Sequence, residues 1–196
     1  MALAVPVAAA AADRAAEAER LLELLRLEPG LAVADVGAGK GDWTVGLARA
    51  VRPGGRVWAT EVDPELVDAI RERVGLEELG PVEVVLGAER STGLPAACCD
   101  AILLRLVYHH LKEPAPILAD LARALKPGGR MLVIETVPQK DWRRLEGVPE
   151  RGGHGIARER LIQELASGGF EAVQVVEAWN EDPERYAVLF RESTVP

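Results

Sequence analysis

Sulfur, positive charge and long apolar runs are all scarce in this chain. It has two cysteines, the adjacent Cys98 and Cys99, so no disulfide framework can be drawn and no CxxC or Cys/His metal spacing occurs. A reducing, cytoplasmic setting is the expectation that follows. Lys and Arg total 23 against 31 Asp and Glu, a formal charge of -8 at pH 7. That balance opposes general attraction to a phosphate backbone or an anionic membrane surface, so neither nucleic acid nor membrane is the expected partner. The opening MALAVPVAAAAA lacks a basic n-region and meets Asp13 well short of the roughly 20 apolar residues that span a bilayer. No leader or anchor is expected there; residues 1–12 read as a loose Ala-rich arm, or as a flap over substrate.

What is present suits a soluble globular protein. The 196 residues are 48% apolar and 28% charged, enough for one domain with a substantial core, expected as a monomer or homodimer. A leucine-bearing helix is predicted over 13–28, stopped by Pro29 and Gly30. The apolar run 31–37, LAVADVG, reads as a buried strand entering a tight turn, with a helix from Asp42 to about Ala50. Strands follow at 56–61, 82–86, 100–106 and 131–135, alternating with helices at 64–74, 114–125 and 158–166. Such alternation predicts a mostly parallel sheet with helices on both faces. Residues 170–179 and 185–191 have no helix between them and should pair antiparallel, completing a core over 31–192. The irregular stretch 136–157 is long for a connection, and a substrate-facing loop is one reason for such length.

The sharpest local signal is Asp35-Val36-Gly37-Ala38-Gly39-Lys40-Gly41, between the first strand and a helix. Gly37, Gly39 and Gly41 let backbone approach a ligand, and the helix start offers free N–H groups. A dinucleotide fingerprint would need glycine at 42, where aspartate stands, and a P-loop would need Ser or Thr after Lys40. Glu61, ending the second strand, can accept both ribose hydroxyls of an adenosine unit, or serve as a solvated strand-end acid. Asp35 can orient the glycine turn or meet the ammonium of an amino-acid ligand, and Asp63 with Pro64 reads as a helix cap.

Residues 31–48 together with VWATEVDP (57–64), CCDAILLRLVYHHL (98–111) and LKPGGRMLVIE (125–135) resemble the successive motifs of the class I S-adenosylmethionine-dependent methyltransferases. The resemblance spans about residues 20–192. It implies an α/β three-layer sandwich with a mostly parallel seven-stranded sheet, its last strand antiparallel. It also implies S-adenosyl-L-methionine as cofactor and S-adenosyl-L-homocysteine as product. On that resemblance Asp35, Gly37, Gly39 and Gly41 hold the methionine end, Glu61 the ribose, and Val62 packs near adenine. One departure stands out: the family often places Asp after the third strand to receive the adenine amino group, whereas this chain reads Leu86-Gly87-Ala88-Glu89-Arg90. Either Glu89 or the backbone then makes that contact.

Methyl transfer requires alignment of donor and acceptor, and a base only where the acceptor must lose a proton. The candidates follow the fourth strand. His109 or His110 can act as base, one of the two serving instead as a structural residue, and Tyr108 can present its ring to cofactor or substrate. Arg105 and, from a later loop, His154 are the substrate-binding candidates. No metal is expected from three histidines of which two are adjacent and none has a carboxylate at ligand spacing. No N/D-P-P-Y/F stretch follows the fourth strand, which leaves a small-molecule acceptor by elimination. The alternatives are a non-catalytic S-adenosylmethionine- or S-adenosylhomocysteine-binding module acting through a protein partner and, more distantly, an NAD-dependent oxidoreductase.

Overall fold

The computed structural model describes residues 7–77, 79–139 and 154–193, with side chains described from Asp13 onward. Seven strands form one sheet: β1 (Ala32–Val36), β2 (Arg56–Glu61), β3 (Val82–Leu86), β4 (Cys99–Arg105), β5 (Leu125–Thr136), β6 (Phe170–Val176) and β7 (Arg185–Glu192). Their order is β3-β2-β1-β4-β5-β7-β6, with β7 antiparallel to both neighbours and the remaining pairings parallel. Among the described residues five helices, α1 (Val7–Leu25), α2 (Asp42–Ala50), α3 (Pro64–Leu76), α4 (Pro114–Ala124) and α5 (Arg158–Ser167), complete the three layers.

The alternation of side chains along each strand divides the core in two. Ala34, Ile102, Leu104, Met131, Val133, Val188 and Phe190 face α4 and α5, meeting Ile117, Leu121, Leu161 and Leu165. Val33, Ala101, Leu103, Leu132, Ile134 and Leu189 face the opposite layer, meeting Leu21 and Leu25 of α1 and Val45 and Leu47 of α2. Every strand near the middle is therefore apolar at consecutive positions, the pattern of a sheet covered on both faces.

Three local departures from the expected elements have simple causes. Helix α1 begins at Val7, not Asp13, because the alanine run has the strongest intrinsic helix preference; the expected loose arm is helical over 7–12, and residues 1–6 lie outside the described residues. Trp179, expected to end a strand, lies fully buried in a 3-10 turn (Trp179–Glu181). The KPGG turn interrupts β5: Leu125 pairs with Cys99 and Arg130 with Ala101, so the residues between bulge out. Most of the expected loop 136–157 lies outside the described residues, only its ends being placed. Asp63 does cap α3, accepting from the Glu65 N–H at 2.9 Å with Pro64 in the first turn.

The chain runs from β1 outward to β3 and returns to β4 on the other side of β1. Where strand order reverses in such a sheet, a crevice opens beyond the carboxyl ends of the two strands.

Candidate active site

The glycine turn forms the floor of that crevice. The N–H groups of Gly37 and Ala38 both donate to the Thr60 carbonyl, at 2.9 and 3.0 Å, which clamps the turn to β2. Gly37 has φ +70°, and a Cβ there would lie 2.3 Å from Val107 Cγ2, so any side chain would be strained and would have to displace Val107. Gly39 and Gly41 also adopt positive φ, Gly41 as the residue from which α2 starts. The Gly39 N–H donates to Glu61 Oε2 at 2.9 Å, and the Val62 N–H donates to Glu61 Oε1 at 2.7 Å. The Asp63 N–H also approaches Oε1, at 3.5 Å, so Oε2 is the oxygen with a lone pair left for another donor.

Beside the turn lies a cavity of about 320 Å³ lined by Gly37, Glu61, Val62, Ala88, Val107 and Leu111 among others. Val62 is 59% exposed, an apolar side chain presented to the opening. Glu89 and Lys112 also line it, and Lys112 Nζ donates to Glu89 Oε1 at 2.5 Å. The Glu89 carboxylate, proposed by sequence for the adenine amino group, is thus paired with Lys112.

Two expected ligand contacts are turned inward. Asp35 is 3% exposed and accepts from Thr44 Oγ1 of α2 at 2.7 Å. Burial pushes its carboxyl up to about 6, against the opposing pull of the Thr44 hydrogen bond and the Arg105 charge. Arg105, expected to bind substrate, is ion-paired within the fold. It shares the strand parity of Ala101 and Leu103 and so faces α1, where Nε and Nη2 meet the two carboxylate oxygens of Glu17 at 2.9 and 3.2 Å. Trp179 Nε1 donates to the same carboxylate at 2.8 Å, and the Arg105 guanidinium lies 4.9 Å from the Trp43 ring centre.

After β4 the chain makes a 3-10 turn over Tyr108–His110, in which successive side chains point about 120° apart. That rotation separates the three expected catalytic residues. Tyr108 points into the core, fully buried, its hydroxyl donating to Glu164 at 3.1 Å, and it lines neither crevice cavity. Tyr108, expected among the reacting groups, thus meets α5 through Glu164. His109 and His110 face the opening. His109 Nδ1 lies 2.6 Å from Glu135 Oε2, and the His109 backbone N–H donates to Glu135 Oε1 at 3.1 Å. Its Nε2 lies 3.1 Å from His154 Nε2, and the His110 ring sits 4.1 Å from the His109 ring.

These imidazoles line a second cavity of about 180 Å³ with Thr136, Gln139, Asp182 and Glu184. His110 alone of the three borders both cavities. Desolvation, reinforced by His109 and His154, pushes His110 down to about 4, and desolvation likewise lowers His154. Burial thus favours the neutral form of both rings.

Glu135 and Glu17 are site residues without a motif of their own in the sequence. Each carried a signal: Glu135 closes the apolar run MLVIE and Glu17 lies among the alanines and leucines of α1, positions where an acid is buried only with a partner. Thr44 is a third, placed by α2 over Asp35.

Residues 34–133, just over half the chain, match the family described as methyltransferase domain. The chain is 38% identical over 151 residues to a protein-L-isoaspartate O-methyltransferase of Aeropyrum pernix, covering 72% of this chain and 51% of that protein. It is 29% identical over 133 residues to a ubiquinone/menaquinone biosynthesis C-methyltransferase of Bordetella parapertussis, covering 64% and 51% respectively. It thus spans about half the length of these curated relatives. A solved structure of a SAM-dependent methyltransferase from Aquifex aeolicus superposes with a TM-score of 0.73 at 27% identity over 88% of each chain. With its glycine turn, strand-two acid and antiparallel β7 in one sheet, the chain belongs to the methyltransferase-domain family and has the class I Rossmann-like fold of S-adenosylmethionine-dependent methyltransferases.

Proposed function

We propose that this chain binds S-adenosyl-L-methionine in the 320 Å³ cavity and transfers its methyl group to a small molecule held in the 180 Å³ cavity. The observation that carries this reading is the shared wall. His110 borders both spaces, so a donor in one and an acceptor in the other meet at the carboxyl end of β4. The cofactor supplies an electrophilic methyl on a sulfonium. The chain holds it through Glu61 at the ribose, Val62 and Leu111 against the adenine, and the glycine turn toward the methionine end, with Asp35 acting through Thr44 and α2. Glu89 reaches the adenine amino group by releasing Lys112.

Proton removal falls to the histidines. His109 lies between Glu135 at Nδ1 and His154 at Nε2, so its ring can hand a proton from the second cavity's side toward the buried carboxylate. An acceptor that must lose a proton can pass it to this pair. Relatives named for methylation at oxygen and at carbon support methyl transfer without selecting the acceptor atom.

The cavity's acidic neighbours, Asp182 and Glu184, oppose a phosphate-rich substrate, which supports a small molecule over nucleic acid. Among the described residues no helix is long and apolar enough to cross a membrane. We place the protein in the cytoplasm, as a monomer or homodimer, on its free thiols Cys98 and Cys99 and its negative charge. An adjoining acceptor cavity favours catalysis over a binding-only module. Antiparallel β7 departs from the all-parallel dinucleotide sheet.

The test is calorimetric titration with S-adenosylhomocysteine of the wild type and of Glu61→Ala. Binding weakened by about 1.5–3 kcal/mol in the variant supports the reading, as expected for lost charged hydrogen bonds. No binding to the folded wild type overturns it.

A further inference from the structure

We infer that His109, His110 and His154 form a binding site for one divalent transition-metal ion of the zinc class, backed by Glu135 and open toward the 180 Å³ cavity.

The donor atoms converge. One ring nitrogen from each histidine lies within 4.8 Å of the other two. Zinc–nitrogen bonds of about 2.0–2.1 Å place tetrahedral ligand atoms about 3.3 Å apart. The His109 and His154 Nε2 atoms, 3.1 Å apart, already have about that spacing. His110, the exposed member, has the freedom to close the remaining distance by rotation of its ring.

The supporting contacts are those of a ligand histidine. Glu135 is fully buried and lies 2.6 Å from His109 Nδ1, which turns the Nε2 atom of that ring toward the other two. His154 is fixed by its backbone: its N–H donates to the Gln139 carbonyl at 3.1 Å and its carbonyl accepts from the Gln139 N–H at 2.8 Å. Gly155 follows at φ +106°, where a Cβ would lie 2.5 Å from the Thr136 carbonyl oxygen; only glycine brings the chain this close to the end of β5. The positions of the imidazoles are thus set by β4, β5 and a paired backbone.

Three imidazoles suit zinc, iron, nickel or copper better than magnesium or calcium, and they leave coordination positions for water or an acceptor. An oxygen or nitrogen donor on a small molecule is the ligand class that fits the open side. Orientation of that atom toward the cofactor rests on the methyl-transfer reading; occupancy by the metal does not, and with the ion bound the ligating nitrogens no longer serve as the base proposed for the metal-free chain.

A tag-free chain, treated with chelator and desalted, is titrated with Co2+ by visible absorption and with Zn2+ by calorimetry. S-adenosylhomocysteine binding is measured in parallel. One ion per chain is expected, with ligand-field bands of a low-coordinate cobalt site. His154→Ala should lose those bands while keeping S-adenosylhomocysteine affinity, since His154 borders only the second cavity. Glu135→Gln, a positioning variant, should weaken metal affinity by about 10–100-fold and keep the bands. Absence of stoichiometric metal in a folded wild type, or metal binding that His154→Ala leaves unchanged, overturns the site. Metal bound without S-adenosylhomocysteine would keep the site and overturn the methyl-transfer reading.

Discussion

Glu135 holds His109 twice, through the imidazole Nδ1 at 2.6 Å and through the backbone N–H at 3.1 Å, although 26 residues separate them. The two bonds use different carboxylate oxygens, so ring and main chain are fixed together. The Thr136 N–H adds a third donor to the same carboxylate at 3.2 Å.

Removing this carboxylate should cost stability as well as site geometry. Glu135→Ala leaves two buried N–H donors and the imidazole without their acceptor, an expected loss of about 3 kcal/mol or more in urea denaturation. Glu135→Gln keeps an acceptor oxygen and should lose less than half as much. Equal losses in the two variants would mean that bulk, not hydrogen bonding, accounts for the residue's contribution.

Gly37 and Gly39 both have positive φ, yet they should respond differently to alanine. Gly39→Ala enters open space and should pay only backbone strain, about 1–2 kcal/mol. Gly37→Ala adds a clash with Val107 and should cost about 1–3 kcal/mol more. Val107→Ala introduced beside Gly37→Ala should recover part of that difference in thermal melts; no recovery would place the strain elsewhere.

Asp35 predicts a pH effect. Its carboxyl is raised from 3.8 to about 6 by burial, so between about pH 4 and 6 the native state holds a proton that the unfolded chain has released. Stability attributable to Asp35 therefore falls as pH rises through that window and levels off above it, by up to about 3 kcal/mol. Arg105 and Glu61, the charged groups acting on it, oppose one another. Asp35→Asn should flatten the window and keep the Thr44 contact. A variant curve parallel to the wild type across pH 4–6 would remove Asp35 as its source.

Arg105→Ala separates a structural from a substrate role. Glu17, 5% exposed, would lose its charged partner and keep the Trp179 indole N–H. A loss of about 3–5 kcal/mol with earlier proteolysis within α1 is expected, and S-adenosylhomocysteine affinity per folded molecule should change little. A stable variant with a raised acceptor KM would restore Arg105 to the substrate.

The elements that build the cofactor cavity were legible because their chemistry is local. Apolar runs ending in Asp35 and Glu61, with glycines at 37, 39 and 41 between them, specify strand, turn and helix within thirty or so residues of chain. The antiparallel close of the sheet was legible for the same reason: two strand patterns without a helix between them have one simple pairing. The start of α1 was misread because an alanine run carries strong helix preference but no apolar periodicity.

The acceptor side was not legible in the same way. Tyr108, His109 and His110 read alike as neighbours in a segment, and only the 3-10 turn sends Tyr108 to the core and the histidines to the opening. Arg105 reads as a crevice residue by its place at a strand end; parity turns it toward Glu17, 88 residues earlier.

The sequence by itself determined the sheet, its glycine turn and the acid beside it, since each depends on backbone preference and burial over short spans. Tertiary structure alone decided the company of His109, with Glu135 26 residues away and His154 45 residues away. A side chain's direction depends on strand parity and turn rotation, and its partners depend on which strand ends lie adjacent; sheet order sets both after the chain has folded.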